Sequence, residues 1–220
     1  MFHVQKLGRI SYQQAWEKQK QLVAAIDQEQ QPDQLLLLEH EHTITLGRGS
    51  HKENLLLSQN EFQRRGIEVV EIDRGGDVTY HGPGQLVGYP LFYLGTQGNA
   101  KKYLRNLEEV LIRVLKKWEI VAGRKEGYTG VWIDEEKVAA IGVKFNRARQ
   151  RKGYITSHGF ALNVNTDLSY FQTIIPCGIS EYGVTSMERQ LGRKVSMEEV
   201  MNEVVEQMKE VFHDQQKISE

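Results

Sequence analysis

The segment that most constrains the fold is a glycine-rich stretch from Arg74 to Pro90, RGGDVTYHGPGQLVGYP, in which five of seventeen residues are glycine. Glycine loses more conformational entropy on folding than any other residue, so such a cluster requires a sharp turn or a close approach to the backbone. The β-branched run IEVVEID before it and QLVGYPLFYL after it predict strands on both sides. Two readings fit this loop: the wall of a small-molecule pocket, or a pair of tight turns with ordinary core packing.

Several classes of function are excluded by pattern and composition. The segment matches neither the P-loop nor the dinucleotide fingerprint. A net charge of -1 and a pI of about 6.7 give no basic field for nucleic acid. No apolar run reaches the ~20 residues of a membrane span, and the N-terminus lacks the apolar core of a signal peptide. We therefore expect a cytoplasmic protein that binds neither nucleic acid nor membrane.

Helix and strand patterns alternate along the chain. Helices are predicted at 11–28, 58–65, 99–118 and 196–213. Ser11 with Gln14 and Ser196 with Glu199 fit capping boxes at two helix starts, and Tyr12 belongs to the apolar face of the first helix. Strands are predicted in QLLLLEHEHTITLG, IEVVEID, GVWID, KVAAIGVKF and YITSHGFALNV. Because several strand pairs resemble hairpins, the prediction is an α/β (α+β) protein with a mixed sheet and not a purely parallel one. A length of 220 residues fits one domain over 1–220, with a core at about 31–215.

A single cysteine, Cys177, lies in IIPCGIS, so no intrachain disulfide or thiolate metal site is expected. A nucleophilic cysteine has to be a thiolate, and a nearby cation lowers the thiol pKa from about 8.5. Lys137 and Lys144 are candidates for that cation; they stand seven residues apart on one predicted strand and are expected on opposite faces. The alternative is an inert buried cysteine with two solvated lysines.

Three histidines and a basic loop leave two readings each. His40 and His42 are expected to share a strand face, but no third ligand is evident, so no metal is predicted. His158 precedes Gly159 and fits either a binding site or a core hairpin. The loop 147–152, with Arg147, Arg149, Arg151 and Lys152, is either a solvated hairpin tip or a dock for an acidic partner.

Five motifs in order, RGGDVTYHGPGQLVGYP, KVAAIG, SHGFALNV, DLSYF and PCGI, resemble those of the octanoyl-[acyl carrier protein]:protein N-octanoyltransferase family. The resemblance runs from Leu35 to Cys177 and beyond. It implies transfer of an octanoyl or lipoyl group from acyl carrier protein to a lysine of a lipoyl domain, the first step of endogenous protein lipoylation. It also implies the biotin and lipoate protein ligase fold, a mixed central sheet flanked by helices plus a smaller sheet.

The resemblance assigns site residues. Cys177 is the expected acyl-thioester nucleophile, and Lys137, which directly precedes the aliphatic run, is its expected partner; Lys144 falls where the family often has arginine. The expected acyl pocket combines the glycine-rich loop, the strand around Ala140 and a turn at 159–161. Its residues are Arg74, Gly75, Gly76, Asp77, Val78, Thr79, Tyr80, His81, Ala140, Ile141, Gly142, His158, Gly159, Phe160 and Ala161.

The resemblance also implies partners. The donor is octanoyl-acyl carrier protein, and the acceptors are lipoyl domains of 2-oxoacid dehydrogenase E2 subunits and the glycine cleavage H protein. No cofactor or metal is expected, and a monomer is expected. The chain departs from the family in a longer stretch between IGVK and SHGF and in His42, where proline is common. The alternatives are an ATP-dependent lipoate or biotin-type protein ligase, a cysteine hydrolase using His81 or His158, and a non-catalytic acyl-binding module.

Overall fold

The computed structural model describes residues 2–96, 98–176 and 182–213. Its α-helices are α1 (Tyr12–Asp27), α2 (Gln59–Arg64), α3 (Ala100–Lys116), α4 (Met187–Leu191) and α5 (Met197–His213). Short 3-10 helices span Lys52–Asn54 and Leu168–Thr173. The strands are β1 (His3–Ile10), β2 (Gln34–His40), β3 (Thr43–Leu46), β4 (Glu68–Glu71), β5 (Thr79–His81), β6 (Gln85–Leu91), β7 (Tyr93–Gly95), β8 (Gly123–Lys125), β9 (Tyr128–Ile133), β10 (Glu136–Arg147), β11 (Tyr154–Asn163) and β12 (Gly183–Val184).

The strands form one large sheet and one small sheet, which confirms the predicted fold class. The large sheet has the order β1-β2-β6-β11-β10-β9-β8, with β7 added to β11 and β12 to β10. Parallel pairs β1–β2 and β10–β12 combine with antiparallel pairs elsewhere, so the sheet is mixed. The small sheet has the order β4-β3-β5.

Helices cover both faces of the large sheet because its strands are apolar on both sides. Along β2, Leu35 and Leu37 face the core beneath α3 and α5, whereas Leu36 and Leu38 face the core beneath α1. This alternation is the two-residue period of a strand. A third core, containing Phe62 of α2, lies beneath the small sheet.

Helix starts follow the sequence signals. Ser11 accepts from the Gln14 backbone N–H, and the Gln14 side chain accepts from the Ser11 N–H, so the capping box predicted for α1 is present. Asn99 caps α3 through the Lys102 N–H. At α5 the predicted Ser196 cap accepts from the Glu199 N–H. In the described ranges no helix is both long and apolar enough to cross a bilayer.

Strand β1 is not predicted by the sequence analysis. Half of its residues, HVQKLGRI, are polar, and all are half-exposed or exposed, because β1 lies at the edge of the sheet and pairs with β2 alone. Both β1 and α1 precede residue 31, so the packed structure begins before the expected core.

Candidate active site

A narrow cavity lies between the small sheet and the large sheet, with a volume of about 60 Å³. Its walls come from α1, the segment 74–81, β6, β9, β10 and β11. The lining residues are Tyr12, Arg74, Gly76, Asp77, Thr79, His81, Val87, Tyr89, Thr129, Lys137, Ala140, Ile141, Gly142, His158, Gly159, Phe160 and Ala161. Typical small-molecule sites hold about 300–1,000 Å³, so an occupant has to be slender, or the walls have to separate on binding.

The structure brings most of the predicted pocket together. Gly75, Val78 and Tyr80 are the three predicted residues that do not line the cavity. Val78 and Tyr80 pack in the core of the small sheet, because alternate residues of an extended segment point to opposite sides. The expected turn at 159–161 is part of β11 instead, where Phe160 pairs with Ile141.

The glycine-rich loop passes close to backbone on two sides. Gly76 has a φ of +87°, and its carbonyl oxygen lies 2.3 Å from where a Cβ on Gly47 would be. On the other side, a Cβ on Gly142 would lie 3.0 Å from the Gly75 carbonyl oxygen. Because they have no side chain, the glycines let the loop pass between Gly47 and β10. This close approach explains why the segment contains glycine despite its entropic cost on folding.

Lys137 reaches the cavity because β10 contains a bulge. The pairing with β9 shifts between Lys137 and Ala139, and Val138 and Ala139 both pack in the core beneath α3. The bulge shifts the alternation of side chains between the two faces by one residue, so Lys137 and Lys144 lie on the same face of β10. The prediction of opposite faces was wrong for this reason. The Lys137 Nζ lies 4.8 Å from the centroid of the Trp132 ring.

Cys177 lies outside the described residues, but the chain on both sides of 177–181 is described. Before it, the Ile175 N–H donates to the Asn54 carbonyl oxygen over 2.8 Å. After it, Val184 pairs with Lys137, and the Thr185 N–H donates to the Lys137 carbonyl oxygen over 3.1 Å. The side chain of Asn54 also donates to Asp77 Oδ2 over 2.7 Å. Both flanks are thus hydrogen-bonded to residues of, or next to, the cavity wall.

A chain of hydrogen-bonded polar groups crosses one wall of the cavity. The Tyr12 hydroxyl lies 3.3 Å from His158 Nδ1, and His158 Nε2 lies 2.8 Å from Asp73 Oδ1. Lys144 Nζ donates to Asp73 Oδ2 over 2.5 Å. Hydrogen bonds from His158 and Lys144 hold the pKa of Asp73 well below its ordinary value, while burial lowers the pKa of His158. His158 is therefore a neutral base beside a carboxylate.

A second histidine in the wall, His81, is fixed by an amide. Gln85 donates through its Nε2 to the carbonyl oxygen of Tyr80 and to Asn163 Oδ1, so its Oε1 accepts from His81 Nδ1–H over 2.8 Å. Burial lowers the pKa of His81 well below its ordinary value, which keeps the imidazole neutral. Arg74 is anchored by donating to the carbonyl oxygen and the Oγ1 of Thr45.

His40 and His42 do not share a face, so that prediction was wrong. The chain leaves the large sheet after His40 and enters the small sheet at Thr43. His40 bonds to the Ile10 carbonyl oxygen and the Tyr89 hydroxyl, whereas His42 bonds to the Tyr80 hydroxyl. Within the described residues, no group of three metal-ligating side chains is present.

Two tyrosines of the cavity, Tyr12 and Tyr89, are absent from the sequence prediction. The sequence predicts Tyr12 only as part of the apolar face of a helix and Tyr89 only as part of a strand. Both hydroxyls are buried and paired with histidines, which is what a buried tyrosine requires. The sequence gives only a weak signal for these two pairs, because each tyrosine and its histidine lie on different secondary-structure elements.

A larger groove, of about 1140 Å³, lies beside the cavity between α1 and the β10–β11 hairpin. Asp73 and Lys144 are among the residues that line it. The Asp27 carboxylate accepts from the backbone N–H groups of Arg149 and Gln150, so the basic loop is fixed to the end of α1. The side chains of Arg147, Arg149 and Lys152 are exposed along the groove.

A family model described as "Lipoyl protein ligase A/B catalytic domain" matches residues 11–209. The fold and this match show that the chain is a catalytic domain of the lipoyl protein ligase A/B class. An octanoyltransferase from Rubrobacter xylanophilus is 50% identical over 208 residues, which cover 94% of this chain and 91% of the relative. The chain therefore belongs to the octanoyltransferase family and is an acyltransferase, which confirms the resemblance seen in the motifs.

Solved structures agree at the level of the fold. A bi-partite lipoate protein ligase from Thermoplasma acidophilum superposes with a TM-score of 0.70 at 19% identity, over 96% of this chain and 83% of that one. A biotin protein ligase from Aquifex aeolicus gives a TM-score of 0.53 at 17% identity, over 97% and 70%. The shared fold of biotin and lipoate ligases is thus confirmed.

Proposed function

We propose that this acyltransferase moves an octanoyl or lipoyl group from acyl carrier protein to a specific lysine of a lipoyl domain through a thioester on Cys177. The observation that carries the proposal is the position of Lys137: its side chain lines the cavity, and its backbone pairs with the strand that follows the segment containing Cys177. The acceptors are the lipoyl domains of 2-oxoacid dehydrogenase E2 subunits and the H protein, and the enzyme acts as a cytoplasmic monomer.

The first half-reaction loads the enzyme. The Lys137 ammonium favours the Cys177 thiolate, which attacks the carbonyl carbon of the donor thioester. A new carbon–sulfur bond forms, the old one breaks, and Lys137 gives its proton to the carrier sulfur that leaves. One thioester replaces another, so the step is close to neutral in free energy.

The second half-reaction unloads it. The neutral ε-amine of the acceptor lysine attacks the acyl-enzyme, a nitrogen–carbon bond forms, and Cys177 leaves as a thiolate. Lys137 takes one proton from the nitrogen and regains its charge. Because a thioester is already activated relative to an amide, neither half-reaction consumes ATP.

The narrow cavity is the proposed site of the acyl chain. An octanoyl chain has about seven methylene and methyl groups beyond its carbonyl, and burying each gives roughly 0.8 kcal/mol, or about 5–6 kcal/mol before the costs of binding. Apolar atoms of Ile141 and Phe160 and the bare backbone of Gly142 and Gly159 offer a slender path for it. The small volume supports a preference for an unbranched chain.

Intact mass after mixing with octanoyl-carrier protein, without ATP or acceptor, tests the proposal. We expect one octanoyl adduct, mapped by peptide analysis to Cys177 and removed by an added lipoyl domain. If no adduct forms without ATP, but free octanoate and ATP together label the acceptor, the protein is a ligase of the same fold and the proposal is wrong. Release of free octanoate as the main product would instead indicate a hydrolase.

The groove is the proposed dock for the acidic protein substrates, because exposed cations line it next to the cavity. Replacing Arg147, Arg149 and Lys152 with glutamine is expected to raise KM about five- to tenfold, leave kcat unchanged and weaken its salt dependence, since exposed ion pairs give up to about 1 kcal/mol each. Steady-state kinetics at several salt concentrations measure this.

The matched control replaces the exposed Lys101 and Lys102 of α3, which lie outside the groove, with glutamine. It should leave KM within about twofold of the wild-type value, because isolated surface charges contribute little. An unchanged KM in the triple variant would make the loop a solvated hairpin tip.

A further inference from the structure

The proposed reaction assigns no acceptor to one of the two protons that the acceptor lysine loses. At neutral pH the acceptor lysine arrives as an ammonium, since its ordinary pKa is about 10.4. It has to lose one proton before attack and a second after attack. Lys137, having protonated the leaving carrier sulfur, accounts for only one of the two.

We infer that Tyr12, His158 and Asp73 form a relay that takes the first proton from the acceptor ammonium and passes it to the groove. This inference rests on the proposed function. In the relay, the nitrogen gives its proton to the Tyr12 oxygen while the Tyr12 proton moves to His158 Nδ1. The nitrogen is left with its lone pair, and no other bond changes.

The hydrogen bonds of the relay fix the direction of transfer. An ionised Asp73 can only accept, so His158 Nε2 carries a hydrogen and Nδ1 of the neutral ring accepts from the Tyr12 hydroxyl. The imidazolium that results faces the Asp73 carboxylate 2.8 Å away, which stabilises its charge. This is the logic of a nucleophile–histidine–aspartate triad, with a relay hydroxyl in place of the nucleophile.

The relay connects the cavity to the groove. Tyr12 and His158 line the cavity, whereas Asp73 and Lys144 line the groove, so the chain of bonds crosses the wall between them. His158 is 1% exposed, but the side chain of Asp73 is 32% exposed, so solvent reaches only the groove end. The imidazolium releases its Nε2 proton by way of an Asp73 oxygen to water in the groove, and Asp73 carries that proton only transiently because its pKa lies well below its ordinary value.

His158 is held in place at a conformational cost. Its φ is +56°, a value that non-glycine residues adopt rarely, and its backbone N–H donates to Gln19 Oε1 over 2.7 Å. Strained residues of this kind cluster at functional sites. The groups that face the ring from the neighbouring elements are Tyr12, Trp16, Tyr89, Asp73, Arg74, Lys144 and His81.

The test separates the two half-reactions. Tyr12→Phe and Asp73→Asn preserve size, and each is loaded with octanoyl-carrier protein and then chased with a lipoyl domain, with intact mass read at quenched times. We expect loading within about threefold of wild type and discharge slowed about 100-fold, the scale of general acid–base catalysis. The double variant should be no slower than the slower single variant by more than about threefold, because the residues act as a unit.

Two further readouts exclude a merely structural role. Hydroxylamine reaches the acyl-enzyme as a neutral nucleophile near neutral pH, so it should discharge the variants at the wild-type rate. With a lipoyl domain, the discharge rate of the variants should rise about tenfold per pH unit, following the neutral fraction of the acceptor amine. Tyr103→Phe is the matched control: it removes a buried hydroxyl bonded to Pro90 and Thr156, away from the cavity, and should leave discharge unchanged.

The inference is overturned if the variants discharge to the lipoyl domain as fast as wild type, or if loading, discharge and hydroxylamine cleavage all slow equally. Absence of any adduct on the wild-type enzyme is a different result, which removes the proposed function itself.

Discussion

Replacement of Cys177 with alanine is expected to abolish the octanoyl adduct and to lower transfer by roughly 10⁴-fold or more, the scale at which loss of a covalent nucleophile acts in acyl transfer. The physical reason is that, in the proposed mechanism, Cys177 alone carries the acyl chain between the two proteins. Intact mass and transfer to a lipoyl domain, measured at equal enzyme concentration, check the result.

A serine at the same position gives a sharper version of the experiment. An alcohol is a far weaker nucleophile than a thiolate, so Cys177→Ser should load slowly. Any oxoester that forms should resist the acceptor amine and accumulate. Transfer by either variant at the wild-type rate would show that the donor thioester meets the acceptor directly and that Cys177 has no covalent role.

Replacement of Lys137 with methionine is expected to lower kcat/KM by about 10²- to 10⁴-fold, the range for a proton-transferring group that also stabilises a thiolate. Methionine keeps the length of the side chain and its contact with the Trp132 ring but removes the charge. The rate of Cys177 alkylation by iodoacetamide, followed against pH, should show a raised thiol pKa in the variant.

Lys125 provides the matched control, because it contacts the same aromatic cluster from outside the cavity. Its Nζ lies 5.7 Å from the Trp132 ring centroid and pairs with Glu135. Lys125→Met should retain activity within about threefold. Equal losses in both variants would mean that Lys137 acts through packing, and a normal alkylation profile in Lys137→Met would remove its electrostatic role.

Much of the fold is predictable because its signals are local. The capping box at Ser11, the period of apolar residues in α3 and the alternating apolar strands require only neighbouring residues, and the structure contains each element. Strand β1 escapes prediction because its apolar residues, Val4, Leu7 and Ile10, lack the two-residue period of a strand and its one partner, β2, is distant in sequence.

The site is less predictable because its contacts join distant elements. The prediction for Lys137 and Lys144 fails at the bulge, since a two-residue period has no means of showing an extra residue on one strand. The pairing of Tyr12 with His158 joins α1 to β11 across 146 positions. The resemblance to the family's motifs identifies most of the cavity residues, but it does not identify Tyr12 or Tyr89.

The attachment of the two flanks of residues 177–181 has a mechanical consequence. One flank is fastened through Asn54 to the side of the cavity that carries Asp77, and the other through Val184 to Lys137 on the large sheet. Asp77 and Lys137 both line the cavity that we propose for the acyl chain. A cavity that widened by separating Asp77 from Lys137 would therefore also strain one of the two attachments, either the Asn54–Asp77 hydrogen bond or the pairing of Val184 with Lys137.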